Sequence, residues 1–514
     1  MIIIYHNNKF VVEIVNENIK QLTFDKNITI VRNVIEIANK FPEEIIVWCD
    51  IQVKNILNLE FFKNQKLKGN EIISYSPENA NFFTNDIGYI ENSPFIKINK
   101  NVTYATWQMS SLVGCAHASI FNKTFHKKIY NKSFDFYLNN VSKAHMLLGI
   151  FCVSEPKLLT QKPSDLKFQR ANSNQLFRFV KTHIRARWTF LLLLNLMIYE
   201  NRFPFLSFIK SIFHTQYKPE KVNFDIITKE LSEIKNTETI DVLIPTIGRQ
   251  KYLYDVLVDL KNQTHLPKNV IIIEQNPLEN SISELDYLTN ENWPFAINHI
   301  FTQQTGACNS RNLGLNQLKS DWCFLADDDV RFANDFIEKC LDKLQLYDYQ
   351  AVTVASLQKN EINIHKNDFQ WHTFGTCSSI VKSSVLKNIR FNMAFEFGFG
   401  EDDNFGMQIR NSGVDISFFH QPQLLHLKAP MGGFRTKFIQ EWDDEIIAPK
   451  PSPTIMLLKI MHSSKQEING FRTVLFMKYY KINSIKNPLK YFKYFNKQWK
   501  VSEFWANHLL NKKQ

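Results

Sequence analysis

The sequence lacks the features that mark secreted, zinc-binding and membrane-spanning proteins. Its seven cysteines are an odd number, widely scattered and without a CxxC pair, which favours reduced thiols in a cytosolic compartment over disulfides or a zinc site. The amino terminus, MIIIYHNNKFVVEI, lacks the basic start and continuous apolar stretch of a signal peptide, so we expect none. The longest apolar run, residues 188–199, contains Asn195 and is well short of the ~20 residues that a spanning helix needs. We interpret this run as a buried helix, with an interfacial membrane helix as the alternative.

The length and the charge distribution indicate several parts. At 514 residues the chain is too long for one compact core, which favours two or three domains. The formal net charge is +11, from 61 basic and 50 acidic residues. From residue 446 onward there are thirteen Lys or Arg residues against two acids, Glu467 and Glu503, so the excess lies in the C-terminal tail.

Hydrophobic patterning divides the chain into four regions. We predict an N-terminal α/β domain at residues 1–160, a helical linker at 161–235, a central α/β domain at 236–436 and a basic, aromatic helical tail at 437–514. The N-terminal region has strand-like runs (MIII, NITIV and EEIIVWCDI). Its segment 107–121 echoes 375–386, so we interpret it as a degenerate domain of related shape. The third run ends in a single acid, Asp50, and we assign it no metal chemistry; acceptor recognition, dimer contact and scaffolding stay open.

The central region alternates regularly. IDVLIP, NVIIIEQ and WCFLA are predicted strands, and RQKYLYDVLVDLKNQ, TGACNSRNLGLNQLK and FANDFIEKCLDKL are predicted helices. Strands that alternate with helices of this length imply βαβ units and a mostly parallel sheet. Ligands of such sheets bind beyond the carboxyl ends of the strands.

An acidic triplet, Asp327, Asp328 and Asp329, follows the apolar strand in CFLADDDVRF. Clustered like charges resist burial unless a cation compensates them. Asp327 and Asp329, two residues apart where the strand ends, are able to face one ion. Hard cations such as Mn²⁺ or Mg²⁺ prefer oxygen ligands and often share them with a diphosphate. The triplet therefore predicts a cation that holds a diphosphate.

Four ordered motifs carry a family resemblance: IDVLIPTIGR, VIIIEQN, TGACNSRNLGLNQLKSDWCFLADDDV and GFGEDDNFGMQIRNSG. Together they resemble glycosyltransferase family 2, an inverting group with the GT-A fold. The resemblance implies an α/β fold class: a GT-A (Rossmann-like, mostly parallel) catalytic domain beside the N-terminal α/β domain, the helical linker and the tail. It also implies a nucleotide-sugar donor, for which we favour a UDP-sugar, and Mn²⁺ or Mg²⁺ as cofactor.

The same resemblance implies roles for individual residues. The expected metal ligands are Asp327, Asp329 and His426. The expected nucleotide-sugar-binding residues are Pro245, Thr246, Arg249, Glu274, Arg311, Asp327, Asp328 and Arg435. Glu274 departs from the aspartate usual in the family, which puts its contact with base or ribose in doubt. Asp402 is the expected catalytic base and Glu401 orients the acceptor, while a one-residue shift of the alignment would give Asp403 the role of base.

Several of these assignments have a plainer alternative. Arg311 also fits a salt bridge that fixes its helix. The acids at 401–403 also fit a helix start, where they favour the helix dipole. His426 also fits a core histidine, and the GGFR stretch that ends at Arg435 also fits a surface turn.

The tail interleaves Lys with Tyr, Phe and Trp in KYYKINSIKNPLKYFKYFNKQWK. This pattern suits an anionic membrane surface, and its alternative is a solvated helical face packed on the catalytic domain. We expect a cytoplasmic protein, peripheral on the inner face of the plasma membrane, whose acceptor is a glycan or lipid-linked glycan of surface polysaccharide synthesis. No signature of a nucleic-acid-binding fold is present, so no nucleic acid partner is expected.

Two other functions compete with the transferase interpretation. A nucleotidyltransferase shares a similar sheet but needs a glycine-rich basic loop after the first strand, and PTIGRQKY has no glycine run. A non-catalytic sugar- or nucleotide-binding scaffold would be favoured by loss of an acidic motif, and both motifs are intact here.

Overall fold

The computed structural model describes residues 1–512 except residues 19, 65–66, 68, 78–79, 92, 221, 223–237 and 430–437. The chain divides into two compact units. One comprises Met1–Thr228 and Ser463–Val474, and the other comprises Lys229–His462 and Leu475–Gln514. The four regions expected from the sequence remain a prediction.

Among its described residues the first unit contains a seven-stranded sheet, seven α-helices that lie wholly within it and the first part of a further helix, Lys465–Ile482. The strands are β1 (Ile2–His6), β2 (Val11–Asn16), β3 (Ile45–Asp50), β4 (Glu71–Tyr75), β5 (Tyr104–Ala105), β6 (Val113–His117) and β7 (Phe151–Ser154). The helices are α1 (Ile30–Lys40), α2 (Leu59–Asn64), α3 (Ala118–Thr124), α4 (Phe134–His145), α5 (Ser173–His183), α6 (Arg187–Glu200) and α7 (Phe205–Ile212).

The strand and helix predictions for individual runs of this unit hold, except at one run. Strands β1 and β3 confirm the MIII and EEIIVWCDI predictions, and α6 confirms the predicted helix at residues 188–199. The prediction of a strand at NITIV is wrong. Thr29 instead caps α1, because its hydroxyl accepts a hydrogen bond from the amide of Arg32 at 3.3 Å. A side-chain cap satisfies an amide that a helix start leaves unpaired, and here it outweighs the strand preference of the isoleucines and valine.

The second unit is built on a larger sheet. Its strands are β8 (Ile240–Thr246), β9 (Asn269–Gln275), β10 (Ala296–Thr302), β11 (Trp322–Ala326), β12 (Val330–Arg331), β13 (Ala351–Leu357), β14 (Phe369–Gln370), β15 (Ser378–Lys382) and β16 (Ser417–His426). Its helices are α8 (Gln250–Lys261), α9 (Tyr287–Asn290), α10 (Ala307–Leu315), α11 (Phe336–Tyr347), α12 (Ser383–Leu386), α13 (Glu401–Asn411), α14 (Pro453–His462) and α16 (Pro488–Asn511). Helix α15 (Lys465–Ile482) contributes its later residues to this unit.

The larger sheet confirms the predicted fold class. Its strand order is β10-β9-β8-β11-β15-β13-β16-β12, with β14 paired to β16. The first four strands are parallel, as the alternating pattern predicts, whereas β15 is antiparallel to both of its neighbours. The sequence prediction omitted β10, a half-buried edge strand.

The carboxyl ends of the parallel strands define where a ligand binds. Every residue of β11 is buried, as expected for a strand covered on both faces. Strands β8, β9 and β11 end at Thr246, Gln275 and Ala326, on the same edge of the sheet. Thr246 and Glu274 lie at or next to the ends of β8 and β9, and the acidic triplet follows the end of β11.

The two sheets share part of their connectivity. Five strands of the first sheet run in the order β1-β3-β6-β4-β7, and five of the second run in the order β8-β11-β15-β13-β16. In both sets the middle strand is antiparallel to its neighbours and the outer pairs are parallel. This correspondence supports a degenerate domain of related shape, which remains a prediction.

The C-terminal tail is helical, as predicted. In α16 the aromatic residues Tyr491, Phe495 and Trp499 are buried at a spacing of four residues, while Lys493 and Lys500 are exposed. Amphipathic packing therefore accounts for much of the interleaved pattern, and membrane contact through the tail remains a prediction. Among the helices that the structure describes, none combines the length and apolarity needed to cross a bilayer.

Candidate active site

One cavity of about 400 Å³ lies at the carboxyl edge of the larger sheet. It collects most of the residues that the motifs predict. The predicted residues that line it are Pro245, Thr246, Arg249, Arg311, Asp327, Asp328, Asp329, Glu401, Asp402 and His426. Arg435, together with the rest of GGFR, lies outside the described residues. Asp403 is exposed and is absent from the lining.

The acidic triplet divides its side chains between two tasks. Asp328 is nearly fully buried and accepts hydrogen bonds from Thr246 Oγ1 at 2.7 Å and from Arg249 Nη1 at 2.6 Å. Burial raises the pKa of Asp328 to about 6. Asp328 therefore joins the loop after β8 to the end of β11 and leaves the flanking carboxylates for the cavity.

The flanking carboxylates, Asp327 and Asp329, converge with His426. One ligand atom from each of these three residues lies within 4.8 Å of the others. His426 is the last residue of β16 and pairs with Val330 of β12, and this pairing brings the imidazole beside the triplet. Its Nε2 is 3.3 Å from Asp329 Oδ1, so His426 belongs to the acidic cluster and not to the hydrophobic core.

The chemistry of these three residues fits a divalent cation. Asp329 Oδ1 is buried and accepts no hydrogen bond of ordinary geometry from the described residues, while Oδ2 accepts one from the Ala429 amide at 2.8 Å. Burial alone would raise the pKa of Asp329, but His426, the Ala429 amide and Arg249 outweigh it and lower the pKa. A buried, ionised oxygen that has only an imidazole nitrogen 3.3 Å away, and that lies near a second carboxylate, suits Mn²⁺ or Mg²⁺.

Arg311 extends from α10 into the cavity wall. Its Nη2 donates to Asp327 Oδ1 at 2.9 Å, and its side chain is only 8 % exposed. The salt bridge foreseen as the plainer alternative therefore exists, but its partner is a residue of the acidic cluster. A guanidinium in this position has further N–H groups with which to meet an anionic ligand.

A second pair of acids lies in the first turn of α13. Gly400, with a φ of +107°, turns the chain so that α13 begins at Glu401. The hydroxyl of Thr376 donates to Asp402 Oδ1 at 2.8 Å. Burial raises the pKa of Asp402, and burial together with the charge of Asp402 raises the pKa of Glu401 to about 7. Both carboxyls line the cavity. A favourable interaction with the helix dipole therefore does not fully describe their position.

Glu274 lies at a neighbouring depression of about 210 Å³. One of its oxygens accepts the amide of Glu284 at 3.1 Å, and the other is 2.8 Å from Nε2 of His299. The two hollows share Thr246, Ile247, Arg249 and Gln275 in their linings. The structure thus separates Glu274 from the acidic cluster by the loop that follows β8.

Three contacts of the candidate residues and of the cavity lining were not foreseen from the sequence. Thr376 orients Asp402, His299 contacts Glu274, and Glu396 accepts the amides of Cys308 and Asn309 at 3.0 and 2.7 Å. Glu396 thereby satisfies amides at the start of α10, where partial positive charge favours an anion. Its signal in the sequence is slight: it is an acid between two phenylalanines in AFEFGFG, far along the chain from α10.

An aromatic pair borders the cavity. Phe397 lines it and stacks on Phe438, with ring centroids 4.0 Å apart and an angle of 13° between the planes. Phe397 has a φ of +56°, which is uncommon for a residue with a side chain, and its carbonyl accepts a hydrogen bond from Gln440 at 2.9 Å. This strained position holds an aromatic face in the same cavity as Glu401 and Asp402.

Comparison with known proteins gives a family match within the second unit. Residues 241–404 match the family described as Glycosyl transferase family 2. A protein of Haemophilus influenzae named uncharacterized glycosyltransferase is 29% identical over 106 residues, covering 21% of this chain and 34% of that protein. A second with the same name and organism is 24% identical over 169 residues, covering 30% and 67%. The chain therefore spans about a third of the length of the first relative.

Solved structures are similar at a lower level. S. aureus TarS 1–349 in complex with UDP is 15% identical with a TM-score of 0.35, and the similarity covers 48% of this chain and 73% of that one. GalNAc-T7 with UDP, GalNAc and Mn²⁺ is 10% identical with a TM-score of 0.32, covering 40% and 47%. At these TM-scores neither structure supports a comparison of sites.

Proposed function

Because the chain belongs to glycosyltransferase family 2 through residues 241–404, we propose that it transfers a sugar, with inversion, from a nucleotide-sugar to a hydroxyl acceptor. The donor is a UDP-sugar, and a divalent cation, Mn²⁺ or Mg²⁺, assists its binding. The acceptor is a glycan or a lipid-linked glycan. The protein acts in surface polysaccharide synthesis.

One observation carries this proposal: the cation group and the acid pair occupy the same cavity. Asp327, Asp329 and His426 come from the strand ends, and Glu401 and Asp402 come from the start of α13. The charge of Asp327 contributes to the raised pKa of Asp402, so the two groups are close enough to interact electrostatically. A donor held by the cation group would present its anomeric carbon to a carboxylate that faces it.

The proposed roles follow from the chemistry of each side chain. Asp327, Asp329 and His426 hold the cation, which when bound neutralises charge developing on the leaving diphosphate. Asp402 removes the acceptor hydroxyl proton as the acceptor oxygen attacks the anomeric carbon opposite the diphosphate. Thr376 donates to Oδ1 of Asp402 and thereby holds this carboxylate in one orientation. Arg311 meets the nucleotide with its remaining N–H groups.

The neighbouring depression is the proposed nucleobase site. It adjoins the main cavity through the loop after β8, and Glu274 lies in its lining. The side chain of Glu274 is fixed by His299 and by the amide of Glu284, so its oxygens are oriented before a nucleotide arrives. A carboxylate oxygen held in a fixed position suits acceptance of a hydrogen bond from an N–H group of a base or a hydroxyl group of a ribose.

The first test is release of nucleoside diphosphate from a panel of UDP-, GDP- and dTDP-sugars, with and without Mn²⁺. Since hydrolysis without an acceptor is often slow, each donor is also tested for metal-dependent thermal stabilisation of the protein. We expect one donor to act in a metal-dependent way and Asp329→Ala to abolish that response. A folded protein that binds none of these donors would contradict the proposal and favour the non-catalytic scaffold.

A further inference from the structure

Helix α7 directs its large apolar side chains outward from the first unit. The exposed fractions are 47% for Phe205, 74% for Leu206, 50% for Ile209, 55% for Ile212 and 82% for Phe213 just beyond the helix. Their spacing of one, four, seven and eight residues from the first is that of one helix face. The residue buried on the opposite side is a serine, Ser211. Apart from Phe208, which packs inward, the apolar side chains of this helix face away from the core, unlike those of an ordinary surface helix.

Contacts at both ends and in the middle fix this orientation. Before α7, Arg202 forms a salt bridge of 2.7 Å with Asp86. Within it, Phe208 packs edge-on against Phe177 of α5, with ring centroids 6.2 Å apart. After it, the Tyr217 amide donates to the carbonyl of Thr182 at 2.8 Å. These contacts hold the helix in an orientation that directs its apolar face outward.

Basic residues outnumber acids around this face. Residues 200–220 contain three basic residues, Arg202, Lys210 and Lys218, and two acids at the ends of the segment, Glu200 and Glu220, while Arg202 is paired with Asp86. Lys210 is exposed and follows Ile209, which places it at the edge of the apolar face. Arg185 and Arg187, which are also exposed, lie within five residues of Thr182, the residue that the chain after α7 contacts. Lys210, Arg185 and Arg187 thus give an excess of positive charge near the apolar side chains.

We propose that residues 203–213 bind the surface of an anionic lipid bilayer. Phe203, Leu206 and Ile209 enter the boundary between head groups and acyl chains with their neighbours on the same face, and the flanking cations contact lipid phosphates. Large apolar side chains bordered by Lys and Arg are the composition of interfacial helices. A second copy of the chain would bring equal positive charges together, whereas lipid phosphates complement them.

The surface is distinct from the proposed active site, so either proposal is able to fail alone. Residues 203–213 belong to the first unit, and the cation group and the acid pair belong to the second. Binding to lipid is measured without donor, metal or acceptor. A protein that binds vesicles but no nucleotide-sugar would retain this proposal while contradicting the transferase one.

The test is flotation of the full chain with vesicles of phosphatidylcholine alone and with vesicles that also contain phosphatidylglycerol. We expect the protein to float with the anionic vesicles only and to be released by salt. The variant is Leu206→Gln/Ile209→Gln, whose positions are exposed, so folding is not at risk. Each substitution is expected to weaken partitioning by about tenfold. The matched control is Ile362→Gln/Ile364→Gln, at positions 83% and 82% exposed in the second unit, and it should bind like the wild type.

Four outcomes would overturn the proposal. The wild type does not float with anionic vesicles, or it floats equally with neutral ones. The Leu206→Gln/Ile209→Gln variant floats like the wild type while Lys490→Gln/Lys493→Gln/Lys497→Gln does not, which would identify the tail as the membrane surface. Light scattering shows a wild-type dimer that the Leu206→Gln/Ile209→Gln variant converts to a monomer, which would identify an interface between copies.

Discussion

The Thr376 hydroxyl donates a hydrogen bond to Oδ1 of Asp402 at 2.8 Å, and this contact links the segment before β15 to the first turn of α13. The bond favours the ionised carboxylate and lowers a pKa that burial raises. Thr376 is therefore expected to act as a positioning residue for the proposed base. It fixes both the direction of the carboxylate and the pH at which the carboxylate is ionised.

Thr376→Val should move the acidic limb of the pH profile to higher pH. Valine keeps the shape but removes the donor, so the pKa of Asp402 rises further and more alkaline conditions are needed to ionise the base. The measurement is kcat/KM against pH with the donor found in the panel. Thr376→Ser keeps a hydroxyl and should restore the wild-type limb. An unchanged limb in the valine variant would show that Thr376 has only a structural role.

Asp402→Asn should separate donor binding from transfer. The amide keeps the size of the side chain but has no capacity to accept the acceptor's proton, so transfer should fall by about 10²- to 10⁴-fold. The metal-dependent rise in melting temperature that the donor causes should stay within about a factor of two of the wild-type value. Asp329→Ala, in contrast, should lose this rise. Equal loss of donor binding in both variants would contradict the assignment of separate roles.

His426→Gln should weaken the metal response. The imidazole lies 3.3 Å from Asp329 Oδ1, and replacing it removes one of the three proposed ligands. We expect the Mn²⁺ concentration for half-maximal donor stabilisation to rise by about tenfold or more. The comparison variant is His420→Gln, at a histidine that contacts Asp368 elsewhere in the same unit. If both variants lower the melting temperature alike and leave the Mn²⁺ titration unchanged, His426 is a structural residue.

The sequence predicts the positions of the acids better than their partners. The triplet and the Glu401–Asp402 pair are recognisable because they follow a strand and start a helix, and both positions are set by local pattern. The partner of Asp402 is 26 residues away and that of Glu274 is 25 residues away, so only the folded sheet brings them together. Local pattern also fails at NITIV, where strand-forming residues follow a threonine that caps a helix.

The strand pairing of the N-terminal sheet is likewise not predictable from local sequence pattern. A weak echo between residues 107–121 and 375–386 suggests related domains, and the strands at these positions, β6 and β15, occupy corresponding places in their sheets. The main evidence for this correspondence is which neighbouring strands are parallel and which are antiparallel. These pairings join strands that are distant in the chain, so the sequence does not reveal them. Acceptor recognition, dimer contact and scaffolding therefore remain open for this unit.

Glu401→Gln should stabilise the protein at alkaline pH and change little at acidic pH. Burial and the neighbouring Asp402 raise the pKa of Glu401 from 4.5 to about 7. The folded state thus binds the proton more tightly than the unfolded chain does. This carboxyl consequently makes the free energy of unfolding fall as the pH rises from about 4.5 to about 7. Glutamine resembles the protonated acid and does not ionise, so the variant avoids this loss. Above pH 7 its free energy of unfolding should exceed that of the wild type by roughly 2–3 kcal/mol.

The measurement is thermal or urea unfolding of both proteins at pH 5 and pH 8 in the presence of EDTA, so that no divalent cation alters the charge of the cavity. The exposed Glu279→Gln serves as a control for the loss of one negative charge. A difference between Glu401→Gln and the wild type that is the same at both pH values would mean that Glu401 is ionised across this range. In that case Glu401 would meet the acceptor as a carboxylate and only accept hydrogen bonds. If the difference appears only at pH 8, Glu401 is protonated near neutral pH and has an O–H to donate to the acceptor.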